Sequence, residues 1–141
     1  MLSELKAAIG YFAIVFAAGF ALGIVRVLAV VPLLGELRAV QIELPLILVI
    51  SWVTCGWIVN RYSVPDKLIS RLTMGGVAFA LVMCAELGTS VLVMKHTVAE
   101  HFAAYRKAPA ALGLLAQIGF ALIPVMQRRP TGPRPPPGTS G

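Results

Sequence analysis

The chain has 141 residues, 58% of them hydrophobic and only 13% charged, and a formal net charge of +6. Its mean hydropathy of +0.86 sets it apart from soluble domains, where about 25% of residues are charged and about 45–50% apolar. At this length no separate soluble catalytic domain is expected, and the composition points to one membrane-embedded unit whose basic residues orient it against anionic lipid; nucleic acid is not an expected partner.

Four stretches have the roughly 20 apolar residues that cross a hydrocarbon core of about 30 Å. They cover 7–25 or a little beyond, 42–59, 72–94 and 109–126. The first resembles a cleaved signal in having Lys6 before an apolar run. Glu4 offsets that charge, however, and the run continues to Val31, so the segment reads as a retained span. Short connections between four spans predict an all-α, integral membrane four-helix bundle over residues 1–127. Lys6, Arg61, Lys67, Arg71, Arg128, Arg129 and Arg134 fall on one side, against Arg26, Arg38, Lys95, Arg106 and Lys107 on the other. The richer side holds both termini, which predicts an N-in/C-in topology.

In the first span Gly19, Gly23 and Arg26 share a helix face. Glycines at that spacing let a neighbouring backbone approach closely, and Arg26 then faces protein. The competing reading ends the span at Arg26, with the side chain extended to the interface. In the second span, counting back from Asn60 puts Glu43 and Pro45 in the first helical turn. A proline is tolerated there, and a carboxylate meets the positive end of the helix dipole. Ser51 and Thr54 are expected to bond backbone carbonyls, Trp52 to pack in mid-span, and Trp57 and Tyr62 to anchor the cytoplasmic end. Cys55 and Cys84 lie in different spans and are read as packing residues.

Glu86 lies nine residues before Lys95, about 13 Å below the outer end of the third span at 1.5 Å per residue. Too short to reach water, its carboxylate needs a partner, a water-filled cavity or a proton. Gly75, Phe79, Met83 and Ser90 share its face, which therefore looks into the bundle, with Gly75 as a packing position. If the first helix reaches Val31, Arg26 approaches Glu86, and Arg26, Glu43 and Glu86 form one charge cluster. That cluster reads either as a structural lock or as an ion or proton site.

Between Lys95 and Lys107, Val98, Phe102 and Tyr105 recur at helical spacing, predicting a short surface helix with that stripe toward the membrane. His96 and His101 are five apart and lack a third ligand, and His96 with Glu100 offers only two, so no metal is expected. In the fourth span Gln117 is an interhelical hydrogen-bond donor, and Pro124 kinks or loosens the end. Residues 128–141 are basic and rich in Pro and Gly, with a P-x-x-P at 130–133, and read as a disordered cytoplasmic tail.

Several short patterns recur together: Gly23 with Arg26; Pro32, Gly35 and Glu36; Glu43 to Pro45; Arg71 to Gly75; and Ala85 to Leu87. Across about residues 19–90 they resemble those of small four-helix bacterial inner-membrane proteins that have no assigned activity. The resemblance implies a multi-pass inner-membrane location and no substrate. Small multidrug exporters share the size and span number, but they carry an acidic residue in the first helix, and nothing acidic lies here between Glu4 and Glu36.

The chain shows no nucleophile–base pair, phosphate loop or metal cluster, so neither an enzyme nor a cofactor is expected. The leading expectation is a structural or accessory subunit that associates with itself or with a membrane-protein partner, its helix order fixed by Arg26, Glu43 and Glu86. The alternative is a small proton- or cation-coupled transporter or channel subunit using Glu86.

Overall fold

The computed structural model describes residues 1–129; most of the expected tail, including the P-x-x-P and Arg134, lies outside the described residues. Among these the chain is helical, with no strand, and four helices are long and apolar enough to cross a membrane. Helix α1 spans Leu2–Val25 and continues through a π-helical turn, Arg26–Val30, and a last α-turn, Val31–Leu34. Helix α2 spans Glu36–Arg61, α3 Leu68–Leu92, the short α4 Val98–Ala103 and α5 Ala108–Met126.

Local chemistry explains the boundaries. Pro32 cannot donate to the Leu28 carbonyl and crowds it, and the turn before it widens, Val31 N–H bonding Arg26 O. Gly35, with φ +82°, takes a conformation that favours glycine and separates α1 from α2. Because α2 begins at Glu36, the expectation for Glu43 and Pro45 is corrected: Glu36 occupies the first turn, and Pro45 lies inside the helix. At α4, Glu100 N–H donates to Thr97 Oγ1 (3.1 Å) and Thr97 N–H to Glu100 Oε2 (2.7 Å), a reciprocal capping box.

The four long helices alternate in direction, but their packing does not follow chain order. Helix α1 lies beside α2 and α3, and α5 also lies beside α2 and α3, so α1/α5 and α2/α3 are the diagonals. The connection 62–67 therefore crosses the end of the bundle that carries the N-terminus. It buries Val64 beneath it and is held by Arg71, whose Nε donates to Pro65 O (3.3 Å) and whose Nη2 lies 3.6 Å from Asp66 Oδ1.

At this terminal end the core is filled. Ala7, Tyr11, Cys55, Ile58, Met74 and Ala78 are all buried. Pro124 deprives the Phe120 carbonyl of its helical donor, and Tyr11 takes that place from the diagonally opposite helix. Its hydroxyl donates to Phe120 O at 2.9 Å, and the two rings stack at 4.3 Å. Helices α3 and α5 meet backbone to backbone: a Cβ on Gly75 would collide with the Ala121 carbonyl. Gly19 makes ordinary contact with Ile47, 3.5 Å from where a Cβ would sit. Gly23 corrects the packing expectation, because nothing lies within 4 Å of its missing side chain. Trp52 is another correction: its ring is 45% exposed on the outside of the bundle. Cys55 is buried, Cys84 is exposed, and both are free.

Gly75→Ala is expected to lower the thermal unfolding midpoint in detergent, by about 1–3 kcal/mol of stability for an overpacked contact against backbone. Gly23→Ala should leave the midpoint unchanged or raise it slightly, since its Cβ enters open space. Equal effects from the two would contradict the packing described.

Candidate functional site

The half of the bundle away from the termini is not filled. All four long helices line a cavity of about 790 Å³, which runs from Val15, Ser51, Val82 and Phe120 up to the α1–α2 and α3–α5 connections. Gly23 contributes open space to it, and most of its walls are aliphatic or aromatic. Ser51 is spent locally, its hydroxyl donating to Ile47 O at 2.7 Å, and so is Thr89, which donates to Ala85 O at 2.8 Å.

Arg26, Glu43 and Glu86 all line this cavity, but they do not form one cluster. Because α1 continues eight residues beyond Arg26, to Leu34, the arginine lies within the helix and not at its end. Glu43 lies seven residues into α2, so at 1.5 Å per residue the two groups sit at similar height, roughly 11 Å below the Gly35 turn. Arg26 Nε is 2.6 Å from Glu43 Oε2, both side chains being partly buried (28% and 20% exposed). The Nε–H is not aimed along a hydrogen bond, so the contact is an ion pair first.

Glu86 takes a different partner. Helix α3 ends at Leu92, six residues on, which places the carboxylate about 9 Å below that end. Gln117 of α5 donates its Nε2 to Glu86 Oε1, while Gln117 Oε1 is buried and has no partner. The expected three-residue cluster is therefore corrected to two pairs, each tying one antiparallel helix pair: Arg26–Glu43 joins α1 to α2, and Glu86–Gln117 joins α3 to α5. The reason is the limited reach of one arginine, whose Nε is already against Glu43.

The mouth is polar. His96 Nδ1 lies 3.5 Å from Ser90 Oγ, and His101 Nε2 lies 3.4 Å from the Tyr105 hydroxyl. Both histidines and Tyr105 line the cavity, with Glu36 at the rim. Burial, and then the negative field of Glu86, hold the Tyr105 hydroxyl above its usual range. This corrects the expected stripe: Val98 and Phe102 are exposed on α4, but Tyr105 turns inward on the following 3₁₀ turn, Ala104–Arg106. Glu100 is committed to its cap, and no group of three His, Cys, Asp or Glu side chains among the described residues is placed to hold a metal.

Tyr11 was not singled out as a sequence feature, although a tyrosine among apolar residues needs a hydroxyl partner and Pro124 announces a free carbonyl four residues before it.

Removing either side of the Arg26–Glu43 pair leaves the other charge uncompensated. Arg26→Gln or Glu43→Gln alone is expected to cost about 1–3 kcal/mol, between the exposed and fully buried limits. The double variant should recover part of that loss, as a double-mutant cycle in detergent unfolding checks. Additive losses would show that the pair is not coupled. Comparison with protein-family models, curated proteins and solved structures finds no match to this chain.

Proposed function

We propose that this chain is a small multi-pass protein of the bacterial inner membrane, N-in and C-in, acting as a proton- or cation-coupled carrier or channel subunit in which Glu86 is the ion-binding group. The single observation that carries the reading is the environment of Glu86. It lines a cavity of about 790 Å³ with a neutral amide as partner, while the nearby arginine is held by Glu43. A carboxylate kept for structure alone is best served by a counter-charge; one left beside a cavity is available to a mobile cation. The volume lies within the roughly 300–1,000 Å³ of small-molecule sites, which combine apolar walls with a few convergent polar groups. Orientation rests on the excess of Lys and Arg at the terminal end. The filled Tyr11–Phe120 layer supports a site reached from the opposite, outer side.

A second reading, a structural or accessory subunit that associates with copies of itself or with another membrane protein, draws on the Arg26–Glu43 pair. Its effect is to fix helix order without binding anything. Retention of a stoichiometric membrane-protein partner through purification in mild detergent would support that reading.

The two are separated by flux. Purified protein in proteoliposomes is expected to pass protons or monovalent cations above the level of protein-free vesicles, and Glu86→Gln to bring flux down at least about tenfold, the loss of one charged contact. Helical circular dichroism and the unfolding midpoint of the variant should stay close to wild type, because Gln retains a hydrogen bond to Gln117. Wild-type flux equal to empty vesicles, or a Glu86→Gln protein as active as wild type, would overturn the carrier reading.

A further inference from the structure

The cavity has a chemistry of its own beyond a single ion site. The Arg26 and Glu43 charges cancel at 2.6 Å, which leaves Glu86 as the formal charge of the inner walls, with Glu36 adding a second negative charge at the rim. The polar groups around Glu86 are short of donors. Gln117 spends its amide N–H on the carboxylate, and its own Oε1 is buried without a donor. An unpartnered buried acceptor is costly, and a carboxylate has room for several donors. Elsewhere on its walls the same cavity carries Phe16, Phe20, Phe120 and Tyr105 among aliphatic side chains. Aromatic faces attract cations, and apolar walls reward burial of hydrocarbon. A bare inorganic cation would use the carboxylate but not the walls, and it would forfeit most of its hydration for few ligands. An anion would meet no free positive group on the inner walls.

We infer that the cavity binds a protonated amine carried on an apolar body, its N–H groups donating to the Glu86 carboxylate and the Gln117 amide oxygen and its hydrocarbon lying against the phenylalanines. This assignment rests on the proposed binding role of the same cavity and names the ligand class. The donors matter as much as the charge: a primary ammonium supplies three N–H groups, a quaternary ammonium of equal charge supplies none. The ligand is therefore distinguished from a cation recognised by charge and aromatic faces alone.

The test uses the full chain in lipid nanodiscs and three fluorescent probes of one shape: 2-(1-naphthyl)ethylammonium, its N,N,N-trimethyl analogue and the neutral 2-(1-naphthyl)ethanol. Binding is read by fluorescence anisotropy against protein-free discs. The primary amine is expected to bind saturably, at least about tenfold more tightly than the alcohol and about fivefold more tightly than the trimethyl analogue, as charge-assisted hydrogen bonds imply. Glu86→Gln should weaken the amine at least about tenfold and level it with the alcohol. Gln117→Leu keeps the Glu86 charge and removes the amide oxygen; it should narrow the gap between the primary and trimethyl probes, and it serves if Glu86→Gln does not fold. Glu100→Gln, in the α4 cap, should change nothing. No saturable amine binding, equal binding of the three probes, or amine binding indifferent to both Glu86→Gln and Gln117→Leu would overturn the inference. Inorganic-cation flux that depends on Glu86, without amine binding, leaves the carrier reading standing and removes this ligand. Amine binding that depends on Glu86, without any flux, keeps the ligand and removes the carrier.

Discussion

One arginine and two carboxylates line the upper half of this bundle, and the arginine pairs with only one of them. Arg26 lies 2.6 Å from Glu43 and leaves Glu86 to a glutamine. At a helix centre in a bilayer each such charge costs about 2.5–3.5 kcal/mol on insertion scales, so an uncompensated one needs polar company. For the first pair that company is the opposite charge. For Glu86 it is an amide N–H and the cavity itself. The choice is geometric: α1 continues through a π-helical turn to Leu34, which lowers Arg26 to the height at which Glu43 sits on the returning α2.

Two prolines shape the helices around the cavity. Pro32 widens the turn that begins at Arg26, at the level of the ion pair. Pro124, at the floor, withholds an N–H from Phe120, and the freed carbonyl takes the Tyr11 hydroxyl from across the bundle. That bond and the stacked rings close the floor between diagonal helices, which do not otherwise pack against each other. A residue type usually described as a helix breaker here leaves the helices standing and redirects single backbone bonds.

The helices were legible because stretches of 18 or more predominantly apolar residues leave few alternatives. The ends were less so. Counting from Asn60 fixed the start of α2 too late, because the usable signal was Gly35, a C-terminal glycine between two helices and not a point inside a loop. The Thr97–Glu100 capping box was also written in the sequence as T-x-x-E. Partner choice was not legible. Nearly every face of these helices is apolar, so no stripe marks which neighbour a helix prefers, and nothing in the pattern marks α2 and α3 as the diagonal pair they form. For the same reason the Gly19–Gly23–Arg26 face was readable as a face, but not as one that borders a cavity above Gly19. Gln117 was readable as a hydrogen-bonding residue, and only the fold names Glu86 as its acceptor.

The two polar pairs each clasp one pair of neighbouring helices. Arg26–Glu43 ties α1 to α2 above the Gly35 turn, and Glu86–Gln117 ties α3 to α5 beside the α4 connection. The clasps differ in strength. An ion pair is lost only by leaving two charges unmatched, whereas an amide–carboxylate bond can be exchanged for another donor of equal quality at little net cost. In the proposed role a bound cation therefore shares Glu86 with Gln117 and leaves the Arg26–Glu43 pair intact. The floor adds its own hold: one neutral hydrogen bond from Tyr11 contributes about 1 kcal/mol, and the ring stack about as much again. The Gly75–Ala121 approach, by contrast, joins α3 to α5 through backbone and has no loose side chain to yield.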